Sequence, residues 1–318
     1  MPTQPPVRIG ARGSRLSLAQ SGQIQRRIAM ALGADPADAE RVTQLIPITT
    51  TGDRVQDRRL LEIGGKGLFT KEIEEALLEG RIDCAVHSLK DMPAVGPDGL
   101  CIAAIPERED PRDAFLSRGP QTLEELSAGA HLGTASLRRQ AQSLHRRPDL
   151  QVSFLRGNID TRLAKLEAGE ADAILLAYAG LKRLNMDHLV RSLVDPFASP
   201  PAPGQGALAI QTRGADRDLP WVRALAHAPT TLAVAAERGA LLALEGSCKT
   251  AVGAHAWFEG GRLHLVAEAL SPDGRERFRH VGDIDLSELV DAESSARDLG
   301  LSLGAAIKAE AGDRIVWG

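Results

Sequence analysis

From Val7 to Ala177 the chain repeats one pattern: a short apolar run, a polar or glycine-bearing turn, then a stretch whose apolar residues recur at helical spacing. This alternation constrains the fold more than any other feature, because a strand followed by a crossover helix returns parallel to itself in a sheet covered by helices on both faces. Val7 to Ala11 reads as the first strand, and Leu16, Ala19, Ile24 and Ile28 form a helical stripe that starts behind Ser14 and stops at Gly33. A strand over Val42 to Ile48 leads into a segment, residues 49–67, where the apolar periodicity vanishes into Gly52-Asp53-Arg54 and Gly64-Gly65-Lys66-Gly67. Long glycine-bearing loops of this kind are usually mobile or functional. A helix over Leu68 to Glu79 stops at Gly80, and the strand Ile82 to Val86 ends in His87-Ser88-Leu89-Lys90-Asp91. That puts a polar cluster at the carboxyl end of a strand, where open α/β sheets bind ligands.

A strand over Leu100 to Ile105 and the charged stretch Pro106 to Pro111, which reads as a hinge, close the first lobe. The alternation then restarts with strands at Ala114 to Ser117, Leu132 to Thr134, Val152 to Leu155 and Ala171 to Ala177, and helices at Ser136 to Arg146 and Ile159 to Glu167. Thr122 and Glu125 have capping-box spacing and predict a helix start. A proline-rich crossover, Asp195 to Gly206, precedes a strand over Ala207 to Thr212 that is expected to return to the first lobe. After an apolar helix over Thr230 to Leu244 the period changes to that of strands: Ala251 to Phe258, Arg262 to Leu270 and Arg275 to Val281, joined by the hairpin signals Gly260-Gly261 and Asp273-Gly274. A last helix is expected over Ser287 to Ala311. The predicted domains are therefore 1–106 with 207–226, 107–206, and 227–318, the last of α+β type.

Composition narrows the function classes. Hydrophobic residues are 43% and charged residues 25% of 318, so the chain can build full cores, and its formal charge of −4 argues against broad attachment to nucleic acid or an anionic membrane. Three widely spaced cysteines, Cys84, Cys101 and Cys248, make neither a disulfide framework nor a zinc site, and no metal is expected. The N-terminus has no export-type apolar region, and no run approaches the ~18 apolar residues of a membrane span. A cytoplasmic protein is expected.

Positive charge is concentrated locally. From His131 to Arg183 there are nine lysines and arginines against five acidic residues. Ser136-Leu-Arg138-Arg139 opens a helix and Arg156-Gly157-Asn158 ends a strand, so guanidinium forks and helix N–H groups can converge on a carboxylate or a phosphate. A solvated helix face is the plain alternative. Nucleic acid would also suit the charge, but only Phe154 and Tyr178 are there to stack on bases. Gly64-Gly65-Lys66-Gly67 lacks the spacing of a phosphate loop, leaving a surface turn or a mobile loop carrying Lys66. Asp91 reads either as a turn cap or as an ionised carboxylate that stabilises a developing cation. His87 reads as structural. Cys84 and Cys101 lie in apolar strands as small buried groups, whereas Cys248 sits in a glycine-bearing loop beside Lys249, a setting that favours thiolate.

Taken together, the segments Arg8 to Ser14, Gly64 to Glu72, Asp83 to Pro93, Arg108 to Asp113, Gly133 to Gln140, Leu155 to Asn158 with Thr161-Arg162, Ala179 to Arg183, Gly204 to Gly206 and Glu245 to Cys248 resemble the porphobilinogen deaminase family, in family order over nearly the whole chain. The resemblance implies two α/β lobes like those of periplasmic binding proteins around a cleft, plus a small α+β C-terminal domain carrying a cofactor cysteine. It implies that Cys248 holds a dipyrromethane cofactor through a thioether, and that four porphobilinogen molecules are added head to tail with loss of ammonia before hydroxymethylbilane is released. The catalytic aspartate of the family falls on Asp91. Cofactor contacts transfer to Lys90, Arg138, Arg139, Ser136 and Ser88, and substrate contacts to Arg12, Ser14, Arg156, Arg162, Arg183 and Lys66, with Phe69 packing near the loop over the site. Ala11, Pro203 and Ala251 depart from residue types common in the family and bear on loop geometry. The expectation is a monomeric enzyme with a small-molecule substrate and neither nucleic acid nor membrane as partner. A non-catalytic two-lobed binder of a small polycarboxylate is the alternative, for which the Cys248 loop is superfluous.

Overall fold

The computed structural model describes residues 5–54, 69–244, 250–287, 289–315 and 317. Strand β1 (Val7–Arg12) runs into helix α1 (Arg15–Ala31), whose N-cap Ser14 accepts the Ser17 N–H at 3.3 Å; such a cap is worth about 1 kcal/mol. Strand β2 (Thr43–Ile48), helix α2 (Lys71–Leu78) and strands β3 (Cys84–Ser88) and β4 (Leu100–Ala104) follow. β1 pairs in parallel with β2 and β3. The continuous apolar run of β3 is explained by burial on both sides: Cys84 and Val86 pack with Ile24 and Ile28 of α1, while Ala85 faces Ile73, Ala76 and Leu77 of α2.

The second sheet is built from β5 (Asp113–Ser117), β6 (His131–Gly133), β7 (Gln151–Ser153), β8 (Ala173–Ala177) and β9 (Ser192–Leu193). Helices α3 (Leu137–Arg146), α4 (Ile159–Glu167) and α5 (Tyr178–Arg183) each follow one of its strands. Its order is β7-β6-β8-β5-β9, with β6 parallel to β7 and β8, and β5 antiparallel to β8 and β9. Strand β10 (Leu208–Arg213) then belongs to the first sheet, lying antiparallel between β3 and β4 and giving the order β2-β1-β3-β10-β4. The two sheets thus share one plan.

Helix α6 (Ala228–Ala243), strands β11 (Ala251–Glu259), β12 (Arg262–Leu270) and β13 (Arg277–Asp285), and helix α7 (Ala292–Ala311) form the α+β C-terminal region. The three strands make an antiparallel meander. Gly260 and Gly261 supply the two positive φ angles, 56° and 80°, of its first tight turn. The core is rich in alanine, because α6 and α7 cross closely: a Cβ on Gly300 would lie 1.9 Å from the Ala236 carbonyl oxygen.

Packing divides the chain into two compact units, the described residues of Met1–Asp57, Gly64–Glu109 and Ala207–Thr231 in one, and chiefly those of Asp110–Gly206 and Leu232–Gly318 in the other. Inside the second unit, Leu137 and Ala141 of α3 pack against Ala251 and Leu270, and Gln142 Nε2 donates to the buried Glu268 at 2.7 Å.

Two sequence expectations are corrected. Residues 121–127 form turns instead of a helix behind Thr122. The Glu125 carboxylate accepts the Gln121 N–H at 2.8 Å, and the carbonyls of Leu123, Glu124 and Leu126 accept from Arg147 Nη1 at 3.0, 3.1 and 3.0 Å, so side-chain bonds replace the helical ladder. The last helix begins at Ala292, not at Ser287. Ser287 bonds back to Asp285 through its N–H (3.0 Å) and hydroxyl (2.7 Å), a local turn that competes with helix, and Asp291 caps α7 by accepting the Ser294 N–H at 3.0 Å.

Candidate active site

In the first unit the sequence-derived residues gather at the carboxyl ends of β1 and β3. Arg12, the last residue of β1, forms an ion pair with Asp53, and its guanidinium lies 4.2 Å from the centre of the Phe69 ring. Asp53 also accepts the Thr50 hydroxyl at 2.8 Å and the Thr50 N–H at 3.2 Å. Burial works to raise its carboxyl, but Arg12 and Thr50 outweigh it and hold the group below the usual carboxylate range. Ser14 spends its hydroxyl oxygen on the α1 cap.

After β3 the chain makes one 3₁₀ turn, Leu89–Asp91, closed by the Met92 N–H to the Leu89 carbonyl at 3.1 Å. Leu89 and Met92 are buried on either side of it, and Lys90 and Asp91 between them are exposed. Apolar anchors thereby fix an outward carboxylate and ammonium. Ser88 exchanges hydrogen bonds with the buried Gln20, at 3.0 Å from Gln20 Nε2. His87 is the structural histidine expected: its Nε2 is 3.0 Å from Gln211 Oε1, and burial, opposed by that bond and aided by Arg12, pushes it down to about 4. Cys84 is fully buried and burial pushes its thiol up, whereas Cys101 is half-buried with Sγ 3.8 Å from Thr212 Oγ1.

In the second unit Ser136 caps α3 by accepting the Arg139 N–H at 3.4 Å. The first turn of α3 carries Arg138 and Arg139, which are only 5% and 6% exposed. Both reach one carboxylate, Asp113 at the start of β5, at 2.8 and 2.7 Å. Arg138 Nη1 also donates to Gln142 Oε1 at 2.9 Å, and Arg139 Nη1 to the Leu175 carbonyl at 3.0 Å. Among the described residues, Arg138 Nε is buried with no hydrogen-bond partner. Two guanidiniums against one carboxylate leave one positive charge and an unused donor, the complement of a further anion. Arg156 is half-buried at the end of the β7 loop, Arg162 Nε donates to the Gly157 carbonyl at 2.8 Å, and Arg183 Nη2 to the Gly206 carbonyl at 2.7 Å.

The structure therefore brings together Arg12 with Phe69, Ser88 with Lys90 and Asp91, and Ser136 with Arg138 and Arg139. Lys66 and Cys248 lie outside the described residues. Sequence reading missed the partners Asp53, Asp113, Gln20 and Gln142, and also Gln205, whose Nε2 donates to Asp113 at 2.8 Å. Asp113 stood within a quoted motif, but nothing local marked it as facing residues 25 positions away. Among the described residues no group of three or more His, Cys, Asp or Glu is placed to hold a metal, and no helix is long and apolar enough to cross a membrane.

The porphobilinogen deaminase family matches this chain in two parts: "dipyromethane cofactor binding domain" over residues 7–220 and "C-terminal domain" over residues 231–309. The chain belongs to the porphobilinogen deaminase family. The porphobilinogen deaminase of Phenylobacterium zucineum (strain HLK1) is 75% identical over 319 residues, covering 99% of this chain and 100% of that one. That of Caulobacter sp. (strain K31) is 67% identical over 98% of both. Among solved structures, a methionine-bound nutrient binding protein from Burkholderia cenocepacia aligns with a TM-score of 0.43 at 15% identity, covering 69% of this chain and 89% of that one.

Proposed function

We propose that this protein is a transferase that joins four porphobilinogen molecules head to tail, with loss of ammonia, and releases hydroxymethylbilane by hydrolysis for tetrapyrrole synthesis. Family membership over both matched parts supports this reading, and the observation that carries it to the site is the buried Arg138–Arg139 pair, which shares a single carboxylate and leaves Arg138 Nε without a partner among the described residues. Each pyrrole of the substrate bears an acetate and a propionate, so a surplus of arginine over carboxylate is the chemistry such rings require.

The surplus of arginine at Arg138 and Arg139 suits the carboxylates of dipyrromethane: Cys248 would hold it by a thioether, and Ser136, Arg138, Arg139, Lys90 and Ser88 are its candidate partners. When bound, it supplies the primer end to which substrate rings are joined. Arg12, Ser14, Arg156, Arg162, Arg183 and Lys66 take the carboxylates of incoming porphobilinogen, and Phe69 backs the Arg12 guanidinium. Asp91 accepts pyrrole N–H groups and stabilises the positive charge that grows as ammonia leaves the aminomethyl carbon. The same carboxylate moves the proton that the condensation sets free. Asp91 is suited to this because its turn is pinned by Leu89 and Met92 while its side chain stays accessible. We read the protein as a cytoplasmic monomer of three domains, 1–106 with 207–226, 107–206 and 227–318; the separate core of the C-terminal region supports the third.

The test is the intact mass of purified wild type beside Cys248→Ala, with an acid aldehyde colour test for pyrroles. The expected result is a two-pyrrole excess that the variant lacks. A wild type that stays unmodified when porphobilinogen is supplied overturns the reading in favour of a polycarboxylate-binding protein.

A further inference from the structure

Asp113 has no place in the binding set or the proton chemistry described above, yet it is among the most engaged side chains of the second unit. It is 4% exposed. Its Oδ2 accepts Arg138 Nη1 at 2.8 Å, and its Oδ1 accepts Arg139 Nη2 at 2.7 Å, Arg139 Nε at 3.2 Å and Gln205 Nε2 at 2.8 Å. Gln205 also donates to the Pro111 carbonyl at 2.7 Å, so the crossover turn and the strand entrance together hold the carboxylate in place. Burial opposes its ionisation, but Arg138 and Arg139 prevail and keep the carboxyl far below the usual range. Its oxygens are committed to these donors, which leaves it little to offer an anionic ligand.

What Asp113 does is fix the two arginines. Without it, two like charges would stand side by side in a buried place, and each would be driven apart or out to water. With it, Nη1 of Arg138 is tied down, Gln142 Oε1 and the Pro200 carbonyl complete the same edge at 2.9 and 3.3 Å, and the Nε edge is left over. A guanidinium fixed this way loses little further freedom when a carboxylate arrives, and preorganisation of that kind raises affinity without a new contact. The charge also matches: the trio carries a net +1, enough for one carboxylate.

We propose that Asp113 is the positioning residue of the arginine pair: it locks both guanidiniums from their buried side in the orientation that receives a pyrrole carboxylate, and so governs binding of rings that it does not touch. This assignment rests on the functional reading above and deepens it.

The experiment uses the full chain with Asp113→Asn, Asp113→Glu and Gln205→Leu, the last removing the amide that donates to Asp113 and to the Pro111 carbonyl. Three quantities are read: cooperative thermal melting, the fraction of protein carrying the two-pyrrole mass excess after supply of porphobilinogen, and KM separately from kcat. Asp113→Asn is expected to lower the adduct-bearing fraction and to raise KM by about tenfold, with a smaller change in kcat. A cavity of ≈ 210 Å³ bordered by Asp113, Gln142 and Ser143 gives a longer carboxylate room, so Asp113→Glu is expected to recover part of the loss, which a purely structural role would not predict. Gln205→Leu is expected to move KM the same way by about threefold. A folded Asp113→Asn with wild-type KM and full adduct overturns the assignment. If that variant does not fold, a folded Gln205→Leu with unchanged KM and adduct overturns it equally. A wild type that takes up no porphobilinogen overturns the functional reading and this assignment with it, whereas a loaded wild type with unaffected variants overturns this assignment alone.

Discussion

The two α/β sheets share a strand order but arm their carboxyl ends in opposite ways. The first presents its charged groups outward: Lys90 and Asp91 are exposed on a single turn, and Arg12 is half-buried in an ion pair with Asp53. The second sinks its arginines into the base of α3 and neutralises them in part with Asp113. The difference separates two physical tasks. A carboxylate that must move protons and meet successive substrates needs access, whereas anchors for fixed anionic groups gain from burial, where each ionic hydrogen bond is stronger.

The largest expected effect falls on the buried side. Arg139→Leu leaves Asp113 with two of its four side-chain hydrogen bonds, and breaking a buried pair costs about 3–5 kcal/mol; a denaturant midpoint close to that of wild type would erase the contrast between the sheets. On the exposed side the loss is expected in rate: Asp91→Asn should lower turnover by about 10²–10³ while leaving the melting curve in place, since removal of one preorganised charged group has that magnitude. A variant that turns over normally would remove Asp91 from the chemistry, and one that fails to fold would make it a turn cap.

Smaller effects sharpen the comparison. His87 lies beneath the exposed turn with its pKa pushed down to about 4 from an ordinary 6.5. The unfolded chain therefore takes up a proton that the folded one refuses between those values, so His87 contributes stability that is full above about 6.5 and is lost as pH falls toward 4. The whole contribution is on the order of 3 kcal/mol. Melting of wild type and His87→Gln across pH 7.5 to 4.5 should show a steeper acid loss for wild type, and parallel curves would contradict the burial argument. Smallest is Arg12→Leu, expected to change stability by about 1 kcal/mol or less because its pair with Asp53 is partly solvated, with its main effect on KM in steady-state assays.

Legibility followed the range of the forces involved. Strands and helices that rest on periodicity, such as Ile159–Glu167 and Arg262–Leu270, were plain from the sequence because each residue's burial repeats with the geometry of its own element. The return of a strand over Ala207 to Thr212 to the first lobe was readable from the proline-rich crossover before it, but its antiparallel orientation was not. Thr122 with Glu125 misled, since a capping box states only a local preference and Arg147, more than twenty residues on, took the carbonyls instead. The candidate site divides in the same way: Asp91 and the arginines stood in local motifs, while Asp53 and Asp113 act across 41 and 25 positions, and pairing over that distance leaves no trace in spacing.

The position of β10 bears on how the chain is made. Residues 208–213 fill the gap between β3 and β4, and all of residues 110–206 emerge from the ribosome before they do. During synthesis the second sheet can close first, while β3 and β4 wait with unpaired edges, the kind of surface that invites pairing with other chains. The sheet whose strands begin the sequence is thus the one that cannot complete its strand order until Leu208 to Arg213 have been made.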